Sequence, residues 1–170
     1  MCSWEADPEV RAVKNRVKTT ELDIEGLVLL AGKMDLKESG LRNFVKGKED
    51  PLYDVLCPEN LRQLWELRQL LPVLFTGEFA RRGQSSYGVK HICEDFIPHR
   101  YISNASTILM LTYLDIPWTY IKGDPLNANV RAQMAEGYEL MRRMAEYCRF
   151  VREHKNPWDT KTNDPGTETE

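Results

Sequence analysis

NANVRAQMAEGYELMRRMAEYCRFVREH, residues 127–154, carries the clearest period in the chain. After Asn127, the residues Val130, Met134, Tyr138, Met141, Ala145, Cys148 and Val151 step by three and four. One apolar stripe at that spacing predicts a single amphipathic helix over 127–154, with Arg131, Arg142, Arg143, Arg149 and Arg152 opposite it. Working back from this segment, other helices announce their starts. Asp7-Pro8-Glu9 opens one at about 8–18, with Val10, Val13 and Val17 on its apolar side. Asp23 can cap a second containing Ile24, Leu27, Val28, Leu30 and Ala31. Pro58 opens a third with Leu61, Leu64, Trp65, Leu67, Leu70 and Leu71, running to Pro72. Ser86 caps a fourth through Val89, Ile92, Cys93 and Phe96, and a fifth runs from Asn104 to Leu114. From Pro72 to Ser86 no helical period survives, and Thr76, Gly77, Gly83, Gln84 and Ser85 read as linker. No strand shows convincing alternation, so the expected class is all-α: a small bundle, then a second helical domain ending in the long amphipathic helix.

The 170 residues suit one ordinary domain or two very small ones, and 42% apolar with 29% charged side chains exclude collagen-like and mostly disordered chains. Twenty-three basic against 26 acidic residues create no global field for nucleic acid, so any such contact needs a local patch. Cys2, Cys57, Cys93 and Cys148 show no paired spacing, which points to free thiols and, with no amino-terminal signal pattern, a cytoplasmic location. The longest uncharged stretch, Tyr101–Leu114, is too short and too polar to cross a membrane.

A shorter run carries a resemblance. Leu30-Ala31-Gly32-Lys33-Met34-Asp35-Leu36-Lys37-Glu38-Ser39-Gly40-Leu41-Arg42-Asn43-Phe44-Val45-Lys46-Gly47 places a small alanine after an apolar residue, apolar residues around a turn, and two more to anchor a second helix. In this it resembles the helix-turn-helix of phage-repressor and Cro-type proteins, over residues 7–72. The resemblance implies a recognition helix at about 38–46 lying in the DNA major groove, with Lys33, Lys37, Ser39, Arg42, Asn43 and Lys46 as contacts. From 33 to 48, five basic residues face two acidic ones, which is the required local patch. Two positions depart from the family: Leu27 stands where a glutamine is common, and Asp35 where a glycine is common. Over residues 1–56, moreover, nine basic residues meet eleven acidic ones. A helix-turn-helix kept only as the scaffold of a protein-binding adaptor or inhibitor therefore stays open.

Other constellations imply less. His91-x-Cys93 matches no zinc framework, so neither metal nor cofactor is expected. Cys93 or Ser86 with His91 or His99 lacks an oxyanion loop, and no catalysis is expected. Tyr87-Gly88-Val89-Lys90-His91 and Tyr101-Ile102-Ser103-Asn104 either stack on a partner or bury their rings with the hydroxyls at the core's edge. The expected organisation is a flexible start at 1–6, the helix-turn-helix domain at 7–72, a linker at 73–86, a helical domain at 87–155 and a disordered tail at 156–170. The expected function is a non-catalytic DNA-binding regulator of phage or mobile-element type. Its partner is double-stranded DNA, and the methionine-bearing stripe of 127–154 offers a homodimer seam.

Overall fold

A computed structural model describes residues 7–11, 21–42, 50–97 and 101–153. The expected flexible start, most of the first helix and the tail at 156–170 lie outside these residues; positions 8–11 are helical. The fold is mixed α/β rather than all-α. Its elements run α1 (Ile24–Lys33), α2 (Pro58–Leu74), β1 (Phe75–Ser85), α3 (Ser86–Phe96), α4 (Asn104–Tyr113), β2 (Trp118–Ile121), β3 (Asp124–Met134) and α5 (Tyr138–Glu153). The strands form an antiparallel sheet in the order β1-β3-β2.

Two corrections follow. Residues 73–86 are not a linker: after the last turn of α2 they form β1 and enter α3 directly. The expected helix over 127–154 is two elements, because 124–134 is the central strand and only 138–153 is helical. In β3 the side chains alternate, with Ala128, Val130 and Ala132 buried and their neighbours less so, as a period of two requires. Gly137 turns the chain between strand and helix with φ 83, a left-handed conformation that glycine adopts freely. The expected dimer seam is thereby divided, and on its helical part Leu140 and Met144 are exposed.

Helix α4 lies at the centre, packed against α1, α2 and α3, and all ten of its residues are buried. On the sheet side, α3 rests on β3, and α5 lies against α3. Buried side chains from Val10 to Ala132 make one cluster, so residues from both expected domains share a core. Asp23 caps α1 as expected, accepting from the Gly26 N–H at 2.9 Å; α3 is capped by Ser85 rather than Ser86, accepting from Gly88 at 3.0 Å, and α4 by Ser103, accepting from Ser106 at 2.9 Å.

After α1, Asp35 adopts φ 48, but no second helix begins at 38. Instead Lys37 and Gly40 exchange backbone hydrogen bonds, and Lys37 also pairs with Leu52. Gly40, at φ 142, sits against the Leu126 carbonyl and the Asn104 amide, where a side chain has no room. Gly40→Ala should therefore lower stability by about 2–3 kcal/mol. Gly32→Ala, in open space within α1, should instead raise it by about 0.5–1 kcal/mol. Urea midpoints of the two variants check both signs.

Candidate functional site

The residues expected to face DNA are scattered by this fold. Lys33 donates to Asp7 at 2.8 Å and lies 3.4 Å from Glu9, and Lys37 donates to Asp35 at 2.8 Å. Ser39 hydrogen-bonds to Asp50 through its hydroxyl and its backbone N–H. Its neighbour Leu41 is buried, its N–H donating to the Leu126 carbonyl at 3.2 Å. Arg42 is exposed and makes no ion pair among the described residues. Asn43 and Lys46 lie outside the described residues. Residues 38–42 thus form a turn stitched to β3, not one flank of a recognition helix.

The turn brings Arg42 to a cleft of about 330 Å3 that it lines with Tyr120, Ile121, Gly123, Asp124 and Pro125. The Asp124 carboxylate caps the start of β3, accepting from the Leu126 and Asn127 N–H groups and, at 2.7 Å, from the Asn127 side chain. The Asn127 hydrogen bond, opposed by slight burial and helped by the two backbone donors, keeps that carboxyl below its ordinary value.

Two motifs left apart in the sequence meet at one joint. The Lys90 ammonium, almost fully buried, donates to Glu94 at 2.8 Å and to the Ile102 carbonyl at 3.2 Å. It also lies 4.6 Å from the Tyr101 ring centroid and 5.2 Å from that of Tyr87. Both rings are exposed, at 66% and 52%, so they flank the cation from outside rather than filling the core. Glu94 completes the clasp by accepting from the Ile102 N–H at 3.0 Å and contacting His91 Nδ1 at 2.7 Å. Partial burial works against its charge, but Lys90 and the Ile102 N–H outweigh it and hold the carboxyl below 4.5. Lys90 and Glu94 hold each other and both backbone groups of Ile102, so the group fastens α3 to the entry of α4. Cys93 lies fully buried, where burial pushes its thiol up and keeps it protonated.

The sheet offers a different surface, one that sequence reading missed. The Arg131 guanidinium lies 4.9 Å over the ring of Phe79, which is 61% exposed. The Gln133 amide donates to the Phe79 carbonyl at 3.3 Å, and the Asn129 amide to Thr119 Oγ1 at 3.4 Å. Between the Phe79–Ala132 and Gln84–Val130 pairs, β1 advances five residues against two in β3, so its middle bulges outward. Arg81 and Arg82 sit on that bulge, exposed and in no ion pair among the described residues. Gly-Gln-Ser composition had hidden the strand, although the adjacent arginines were a legible cue. No protein-family model, curated protein or solved structure matches the chain.

The clasp predicts an acid limb in the stability curve. Glu94 is held below its unfolded value, so its stabilisation is complete above the ordinary carboxylate range and is lost as pH falls below about 4.5. Glu94→Gln should flatten urea stability between about pH 6 and 3. Lys90→Met, which leaves Glu94 without its buried partner, should cost about 2–3 kcal/mol at neutral pH.

Proposed function

We propose that the protein is a non-catalytic DNA-binding regulator that holds the duplex with its sheet rather than with a recognition helix. One observation carries this reading: the exposed Phe79 ring under Arg131, next to the bulge bearing Arg81 and Arg82. A β-ribbon fits the major groove, and a projecting pair of arginines can enter a narrow minor groove or neutralise phosphates. Asn129, Gln133 and Thr119 supply amides and a hydroxyl of the kinds that read base edges or phosphates. This surface also answers the charge objection. Lys33 and Lys37 are tied to carboxylates, whereas β1 carries two arginines against the single acid Glu78.

The adaptor reading retains one supporting feature. Val28, Leu52 and Leu56 are exposed around a groove of about 210 Å3 between α1 and residues 52–56, where an apolar partner segment fits.

Fluorescence anisotropy against mixed-sequence duplexes discriminates the two. Binding should weaken steeply from about 50 to 200 mM salt, and the Arg81→Ala/Arg82→Ala double variant should reduce the log–log slope by about 1.8. Lys33→Ala should leave binding nearly unchanged. No binding to any duplex at about 50 mM salt, or full binding by the double variant, overturns the reading.

A further inference from the structure

The cleft at the β2 edge of the sheet is built differently from the basic bulge. Its aromatic wall is Tyr120, 44% exposed, and its cation is Arg42. Tyr120 is held in place from behind: Trp118 meets it edge-on, with centroids 5.3 Å apart and ring planes at 74°. The Trp118 indole N–H is itself tied to Thr112 Oγ1 of the central helix at 3.0 Å. A ring fixed in this way loses little freedom when a flat ligand stacks on it. Arg42, by contrast, has no carboxylate partner among the described residues, although Asp124 lines the same cleft. That carboxylate is held by three donors of its own strand and forms no ion pair with the guanidinium, so the Arg42 fork stays open to a ligand's oxygens. Gly123, at φ 86, turns the β2–β3 connection, and nothing stands within 4 Å of where its Cβ would be, which keeps this side of the cleft low. The volume suits a small ligand.

We infer that this cleft binds a nucleotide, its base stacked on Tyr120 and its phosphate held by Arg42. The chemistry demands both parts at once: a planar ring for an aromatic wall, and an anion with paired oxygens for a guanidinium fork. A free mononucleotide and an unstacked residue of a bound strand share that chemistry. The second source rests on the DNA reading above; the first stands without it.

Titration calorimetry on the full chain tests the assignment with adenosine 5′-monophosphate, adenosine and inorganic phosphate as probes. The nucleotide should bind at least about tenfold more tightly than either half. Arg42→Gln and Tyr120→Ala should each weaken it by about tenfold or more, with unchanged thermal midpoints. Since neither side chain is buried, both variants should fold. A nucleotide that binds no better than phosphate, fails to bind at about 1 mM, or binds both variants like the parent overturns the proposal. A second arm compares duplexes with and without one unpaired base. Preference for the unpaired base, lost in Tyr120→Ala, assigns the cleft to the strand, and equal binding alongside tight free nucleotide assigns it to the free ligand. If the duplex fails to bind while the nucleotide succeeds, the DNA reading falls and the cleft stands.

Discussion

Burying a whole helix is the constraint from which the rest of this structure follows. Every residue of α4 is inside, yet five of its ten side chains are polar or carry a hydroxyl: Asn104, Ser106, Thr107, Thr112 and Tyr113. Each needs a partner in a place where water cannot supply one. Ser106 shows how tightly this is arranged. Its hydroxyl donates to Gln63 Oε1 at 2.8 Å and accepts from Ser103 at 2.7 Å; with its only proton so placed, Tyr53 must be the donor across 2.6 Å. Gln63 Oε1 also receives the Ser103 N–H at 2.8 Å. Burial holds the Tyr53 phenol protonated, more strongly than its serine contacts lower it. Thr107 and Thr112 return their hydroxyls to carbonyls one turn back, and the Tyr113 hydroxyl accepts from the Asp23 N–H at 3.1 Å. α1, α2 and the segment at 53 are thereby fixed relative to one another by the needs of a single helix.

The amino-terminal end of that helix is also where the surface features gather. Asn104 donates to the Leu126 carbonyl and to Asn127 Oδ1, both at 3.1 Å, which joins α4 to the start of β3. The same Leu126 carbonyl accepts from Leu41, so the turn bearing Arg42 is placed by α4 and β3 together. Just before the helix, Lys90 and Glu94 grip both backbone groups of Ile102. The clasp therefore acts on the entry of α4. It sets the height at which Asn104 meets the sheet, and through that the position of the cleft wall. A salt bridge so nearly buried contributes little net stability, and its value here is geometric.

How far the sequence could be read depends on what each element buries. Helices α1 and α2 were legible because Asp23 and Pro58 mark their starts in ways that hold whatever the tertiary context; α3 was read with its cap one residue late, at Ser86 instead of Ser85, and α4 without its cap Ser103. The strands were not legible. β3 turns small residues, Ala128 and Ala132, toward the core, so its period of two has little amplitude. Val130, Met134, Tyr138 and Met141 meanwhile keep a helical spacing across the Gly137 turn, which belongs to two elements. β1 hides for a related reason: Gly83 lies so close to Asn129 and the Val130 carbonyl that no larger residue fits, and its bulge breaks alternation. The helix-turn-helix pattern misled at Gly40, where a glycine inside an expected helix adopts φ 142, outside the helical region. Among the described residues of the expected set, Arg42 lines a cavity, and that placement depends on β3, an element the sequence reading did not contain.

Charge decides which surface can meet a polyanion. A lysine already held by a carboxylate must give up that pair before it can neutralise a phosphate, and the carboxylate left behind repels the same ligand. Lys33, facing Asp7 and Glu9, and Lys37, facing Asp35, are both in this position. Arg142 and Arg143 on α5 share Glu139, and Arg142 also reaches Glu146, so these two arginines are already paired. The arginines of the sheet face no such competition. Arg131 spreads its charge over an aromatic face, which leaves its N–H edges available, and Arg81 and Arg82 are exposed on the β1 bulge with no ion pair among the described residues. A balanced chain can therefore still present a positive field, provided its acids are consumed on other faces, and the pairing pattern among the described residues directs that field to the sheet.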